Sequence, residues 1–169
     1  MKLSILAVLA ILATPAAAAD DLLSSLAGTW IGRGFFARSA ESEHRLVYCK
    51  IVNTLAAGGN ALSQTGRCAL GNNSAAMDLT ITALGGGRYT GLGRGQGIAS
   101  RGKAEITGRR AANRLSVSAV LTDTQTKRSV TATATFDLSP GGGFRMRART
   151  ADRNTGADYV ASEMVFAAE

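Results

Sequence analysis

The chain has 169 residues, of which 19 are Lys or Arg and 12 are Asp or Glu, so its formal net charge is +7. This length predicts one domain with a sizeable hydrophobic core. Because only 18% of the residues are charged, the composition excludes a disordered polyelectrolyte. A basic surface favours acidic partners such as anionic lipid head groups or polysaccharides.

The first nineteen residues predict a secretory signal peptide. Lys2 precedes an apolar run over residues 3–13, and the segment closes on Ala17, Ala18 and Ala19 before Asp20. The run is shorter than the roughly 20 residues that span a bilayer, so we interpret it as a leader rather than a retained anchor. We expect residues 1–19 to be removed and residues 20–169 to form one β-barrel domain without a transmembrane segment. This domain would be periplasmic or secreted, which argues against nucleic acid as a partner.

The next residues predict a short helix followed by strands. Asp20 and Asp21 suit a helix start, and Gly28 suits a helix stop. After Gly28, apolar and polar residues alternate in short runs, as in antiparallel strands with one face in the core and one in water. About ten strands are predicted, over residues 29–38, 43–53, 61–70, 77–83, 88–97, 103–109, 115–121, 130–138, 144–148 and 158–166.

The connections between these runs are rich in Gly, Asn and Asp, and no helix long enough for a parallel crossover follows the first strand. A series of hairpin-linked strands must protect its edges, and closure into a barrel does so directly. The sequence therefore predicts an all-β fold, a single antiparallel up-and-down β-barrel of about 8–10 strands with a short N-terminal helical turn. A β-sandwich is the alternative.

Cys49 and Cys68 are the two cysteines of the chain. A turn centred on the Gly-Gly dipeptide at 58–59 places them directly opposite each other on neighbouring strands. We prefer a four-residue turn over 57–60, because it makes them a non-hydrogen-bonded pair with closer Cα atoms. A redox-active pair is the alternative, but the Cys-x-x-Cys spacing is missing. We therefore predict a structural disulfide, which export permits.

The segment Gly28-Thr29-Trp30 stands at the start of the first predicted strand, directly after the helix. This motif resembles the Gly-x-Trp entry of lipocalin-like (calycin) barrels. The resemblance implies that Trp30 plugs one end of a barrel beneath an Arg from the last strands, namely Arg145, Arg147 or Arg149. Taken alone, Trp30 is the only Trp and has apolar neighbours, which indicates core packing. Contact with a ligand is the alternative.

Glycines occupy every second position of one predicted strand, at Gly91, Gly93, Gly95 and Gly97, and would share one face. The spacing differs from a dinucleotide fingerprint and no helix follows. Glycine in a strand permits sharp bending or the close approach of another backbone. We interpret the repeat as a bend at a barrel corner, and a ligand or partner lying against the bare backbone is the alternative.

Basic residues cluster in two segments. The first contains Arg88, Arg94, Arg101, Lys103, Arg109, Arg110 and Arg114, with Glu105 as its one acid, and the second is a stripe of Arg145, Arg147 and Arg149. The solvated face of a sheet explains both. The alternative is an anion-binding patch of Arg94, Arg101, Arg145, Arg147 and Arg149, which requires the two segments to lie side by side.

Catalytic signals are weak. His44 is the single His, which excludes a multi-His metal site, and we interpret it as an ordinary strand residue. A Ser nucleophile would need His44 as its base, yet no Gly-x-Ser-x-Gly elbow occurs. Glu163 is the one acid within an otherwise apolar run, and Asp78 and Glu105 cannot be placed close enough for glycosidase geometry. We predict no enzymatic activity, no metal and no cofactor.

Two functional hypotheses follow. The first is an exported, non-enzymatic barrel that binds a small apolar or amphiphilic ligand in its lumen. Small alternating residues such as Ala83, Ala119, Ala132, Ala134 and Ala148 favour it, although such residues also fill the taper of small barrels. The second is a basic interaction module that docks on an anionic envelope component or an acidic partner protein. The sequence names neither the ligand nor the oligomeric state.

Overall fold

The computed structural model describes residues 20–97, 100–152 and 154–169; the predicted signal peptide lies outside them. One helix and ten strands occur in the described part. They are α1 (Asp21–Leu26), β1 (Gly28–Phe36), β2 (Arg45–Leu55), β3 (Ala61–Leu70), β4 (Asn73–Gly85), β5 (Arg88–Gly97), β6 (Ser100–Ala111), β7 (Arg114–Asp123), β8 (Ser129–Leu138), β9 (Phe144–Ala151) and β10 (Asp158–Ala168). That helix is too short to cross a membrane.

The predicted fold class is confirmed. Each strand pairs antiparallel with its neighbours in sequence, and β10 pairs with β1, so the sheet is a closed up-and-down barrel. The sandwich alternative is wrong, because this last ladder runs continuously from Trp30 opposite Ala168 to Phe36 opposite Ser162. Glycine allows the two strands to meet, since a Cβ on Gly34 would collide with the carbonyl oxygen of Glu163.

The β2–β3 hairpin confirms the predicted cysteine register. Cys49 lies opposite Cys68, and the two are disulfide-bonded with their Cα atoms 4.0 Å apart. The amide of Ala56 donates to the carbonyl of Ala61 at 2.8 Å, which closes a turn of the four residues 57–60. The short Cα distance is that of the closer, non-hydrogen-bonded kind of pair.

Helix α1 covers one end of the barrel, which we call the closed end. The carboxylate of Asp20 caps the helix by accepting the amide of Leu23 at 3.0 Å. Leu22, Leu23 and Leu26 are buried and join the hydrophobic core of the barrel. The helix therefore seals the end at which β1 begins and β2 ends, and the opposite end stays uncovered by it.

One sequence expectation needs correction at the uncovered end. β1 ends at Phe36 and β2 begins at Arg45, so His44 is a loop residue and not a strand residue. Its ring stacks on Phe35 with centroids 4.0 Å apart. This contact with an aromatic side chain of β1 holds the loop end against the outside of the barrel.

Candidate functional site

The inward face of the barrel differs between its two ends. At the closed end, Trp30, Leu115, Phe144 and Phe166 are all less than one-tenth exposed. Towards the other end, which we call the open end, inward residues on β4 to β8 become partly exposed, whereas Leu70 at the end of β3 stays buried. Leu121 lies opposite Ala104 on one side and Val130 on the other, and it is 40% exposed. Solvent therefore reaches the lumen from the open end.

A cavity of about 230 Å³ occupies the lumen at the open end. Its apolar lining includes Met77, Leu79, Ala104, Ile106, Leu121 and Val130. Gln64, Asp123 and Arg128 are among its polar lining residues, and Arg128 lies in the β7–β8 connection at the mouth. Apolar walls with a few polar groups are typical of small-molecule sites.

The predicted glycines line this cavity or lie beside it, on the inward face of β5. A Cβ on Gly91 would lie 2.6 Å from the carbonyl oxygen of Thr80, so Gly91 is needed for the close approach of β4. Gly93 has room for little more than a Cβ, since Ala104 is 3.4 Å away. Nothing lies within 4 Å of the corresponding point at Gly95. The missing side chain at Gly95 therefore opens the lumen.

Trp30 lies at the closed end, away from the cavity. Its indole Nε1 donates to the carbonyl of Leu26 at 2.9 Å, which ties β1 to the helix. Its ring meets Phe144 edge to face, with centroids 5.4 Å apart. Arg145 and its two neighbours in the stripe point to the outer face, so Phe144 takes the contact that the lipocalin resemblance assigned to an Arg.

The closed end also contains a buried polar contact that the sequence reasoning missed. The phenol of Tyr89, 3% exposed, donates to the carboxylate of Asp20 at 3.0 Å. Burial, and then the nearby carboxylate, raises the pKa of Tyr89 to about 12. Asn53 of β2, which is also buried, donates to the carbonyl of Leu26 at 2.7 Å. These contacts fasten α1 to the barrel.

The arginines of the predicted anion patch do not come together. Strands β7 and β8 separate Arg94 and Arg101, on β5 and β6, from the stripe on β9. In that stripe, Arg145 and Arg147 each lie 3.6 Å from Glu163, and Arg149 lies 2.7 Å from Asp158. The two segments therefore do not lie side by side, and two carboxylates of β10, Glu163 and Asp158, offset part of the charge of the three β9 arginines.

The described residues include no group of three or more His, Cys, Asp or Glu side chains that could hold a metal ion. Asp78 and Glu105 both line a depression of about 630 Å³ on the outer face, together with Arg94 and Lys103. In the strand register, Asp78 lies opposite Arg94. These carboxylates thus share their surroundings with cations, which is the arrangement of a solvated charged surface.

The cavity-lining residues Met77, Ile106 and Val130 were not singled out from the sequence. Their period-two alternation puts them on the inward face, but it gives no position along the barrel axis. The strand register places Met77 opposite Gly95, Ile106 opposite Gly91, and Val130 opposite Leu121.

These features define a closed ten-stranded up-and-down barrel whose lumen is filled at one end and hollow at the other. Its architecture is compatible with a lipocalin-like fold. No family model matches the chain, and no curated protein is similar to it in sequence.

Proposed function

We propose that this protein is an exported, non-enzymatic binding protein that takes a small apolar or amphiphilic ligand into the open end of its lumen. The supporting observation is the cavity of about 230 Å³, with apolar walls and an opening created by Gly95. A ligand that covers the apolar walls of the lumen removes them from water, and this makes its binding favourable.

The size of the cavity limits the ligand. Sites for drug-sized molecules usually enclose about 300–1,000 Å³, so this cavity suits a smaller molecule or a single short hydrocarbon chain. Arg128 in the β7–β8 connection and Asp123 at the end of β7 are the charged residues whose positions bring them to the mouth of the lumen. Charged groups at the mouth and apolar walls below favour an amphiphile, such as a short-chain carboxylate whose head group meets Arg128.

The second hypothesis is a basic module that docks on an anionic envelope component or an acidic partner. The positions of the arginines that it requires give it less support. The β9 arginines lie beside Glu163 and Asp158, and they are remote from Arg94. Exposed ion pairs of this kind contribute little to stability, but they reduce the local positive potential that a docking surface needs.

A fluorescence titration tests the proposal. Anilinonaphthalene sulfonate should bind saturably, and octanoate should displace it. Gly95→Leu fills the open space inside the lumen, whereas Gly141→Leu adds the same side chain in the β8–β9 turn, where nothing lies within 4 Å. We expect Gly95→Leu to weaken octanoate binding at least about tenfold and Gly141→Leu to leave it unchanged. Equal octanoate affinity in both variants would contradict the proposal.

A further inference from the structure

A second depression, of about 570 Å³, lies on the outer face of the barrel, on the other side of the sheet from the lumen. We call it the outer groove. Strands β5 to β8 and the end of β4 form it. Its outward-pointing lining residues are Leu84, Arg88, Thr107, Arg109, Ser116, Ser118, Thr133 and Thr135. The groove carries neither a carboxylate nor an aromatic side chain on its outward surface, and it is separate from the site proposed above.

Two arginines in the outer groove face each other. Arg88 lies directly opposite Arg109 in the β5–β6 ladder, and both are exposed. Like charges at opposed positions of a sheet repel and destabilise it. The structure shows no ion pair for either arginine among the described residues. The nearby carboxylate of Asp137 pairs with Arg114 instead, so this positive charge is uncompensated by the chain itself.

Serine and threonine side chains line much of the rest of the groove, beside the exposed Leu84. Thr107 lies opposite Ser118, which lies opposite Thr133, and the adjacent row pairs Ser116 with Thr135. None of these five side chains has a hydrogen-bond partner within the described part of the chain. Each hydroxyl both donates and accepts hydrogen bonds. The rows therefore offer mixed donors and acceptors beside the two guanidinium groups.

We propose that the outer groove binds a phosphorylated sugar. The guanidinium groups of Arg88 and Arg109 hold the phosphate, whose oxygens match the planar donor fork of Arg. The hydroxyls of Thr107, Ser116 and Thr133 exchange hydrogen bonds with the hydroxyls of the sugar. The volume supports this class, because about 570 Å³ is within the range of small-molecule sites and far exceeds what a bare phosphate fills.

Calorimetric titrations with glucose 6-phosphate, inorganic phosphate and glucose, at one ionic strength, test this proposal. Glucose 6-phosphate should bind more tightly than either of the other two. Arg88→Gln and Arg109→Gln should each weaken its binding about tenfold or more. Arg67→Gln is the matched control, because Arg67 is an exposed arginine on β3, remote from the groove, and it should leave the affinity unchanged.

Thr133→Val keeps the branched shape of the side chain and removes one hydroxyl, so it should weaken glucose 6-phosphate binding without changing the affinity for inorganic phosphate. The Arg variants relieve a repulsion, so their melting temperatures should be no lower than that of the wild type. The melting temperature therefore shows whether a variant binds less because it has lost the site or because it has failed to fold.

A free sugar phosphate and a lipid head group present the same chemistry, and a sedimentation arm separates the two sources. It uses vesicles of phosphatidylcholine with phosphatidylinositol phosphate. Binding that depends on Arg88 and Arg109 supports the proposal, whether it is seen in the calorimetry with the free sugar phosphate or in the vesicle sedimentation. The assay in which it is seen shows which of the two ligands the groove takes. Absence of binding in both arms, equal affinity for phosphate and glucose 6-phosphate, or an equal loss in Arg67→Gln overturns it.

Discussion

Asp20 connects the helix to the barrel through two interactions of one carboxylate. It caps α1 at the amide of Leu23 and accepts the phenol of Tyr89 from β5. The sequence predicted the first role, because an Asp before a short apolar segment is a common helix start. It could not predict the second, because Tyr89 follows Asp20 by many residues and only the barrel brings them together.

Replacement of Asp20 should therefore cost more than the loss of a helix cap alone. We expect Asp20→Ala to lower the free energy of unfolding by about 1–2 kcal/mol. Asp21→Ala is the control, since Asp21 is exposed in the first turn of the helix and should cost less than about 0.5 kcal/mol. Urea denaturation of the three proteins measures the difference, and equal losses in the two variants would contradict this role.

The pKa of Tyr89 predicts how stability depends on alkaline pH. The folded value is about 12 against an ordinary 10.0, so below pH 10 both states keep the proton and the contribution of the Tyr89–Asp20 contact is present in full. Between pH 10 and about 12 the unfolded chain ionises first, and stability falls as the pH rises. Ultraviolet titration of tyrosinate should show one late component that Tyr89→Phe removes. If the variant instead loses a component near pH 10, the assignment is wrong.

Among the elements, the β2–β3 hairpin was the most predictable from sequence. The turn dipeptide and the two cysteines specify the same register independently, and the structure has that register. Strand alternation likewise gave the inward faces of β4, β7, β8 and β9. The partners of the arginines were not predictable, because Glu163 meets Arg147 only through the β9–β10 ladder, and alternation within a strand does not specify its neighbour.

The disulfide should contribute substantially to the stability of this hairpin barrel. It joins residues 19 positions apart, a loop for which the chain-entropy model gives roughly 3 kcal/mol. We expect the double variant Cys49→Ala, Cys68→Ala to lose about that much unfolding free energy. Dithiothreitol should destabilise the wild type by a similar amount and leave the double variant unchanged. If complete reduction leaves the free energy of unfolding of the wild type unchanged, this estimate is wrong.

In the barrel as a whole, both the closure of the sheet and the cavity in the lumen depend on glycines, for opposite reasons. Gly34 has no space for a side chain where β1 meets β10, whereas Gly95 faces open space. The sequence marked the period-two glycines of β5 but gave no sign that Gly34 completes the barrel. That role follows from the pairing of the first and last strands, which local patterns do not encode.

This contrast makes a matched pair of substitutions informative. Gly34→Ala should destabilise the protein by about 3 kcal/mol or more, because the new methyl group would force β1 away from β10. Gly95→Ala should change stability by less than about 1 kcal/mol, since its methyl group enters the cavity without a clash. Thermal unfolding measures both, and similar losses would contradict the described closure.

Methyl-resolved NMR during titration with octanoate would show whether a ligand enters the open end of the lumen. We expect saturable shifts for the methyl groups of Met77, Ile106 and Leu121, with those of Leu22 at the closed end unchanged. Shifts confined to outward-facing methyl groups such as those of Leu92, or no shifts at all, would contradict it.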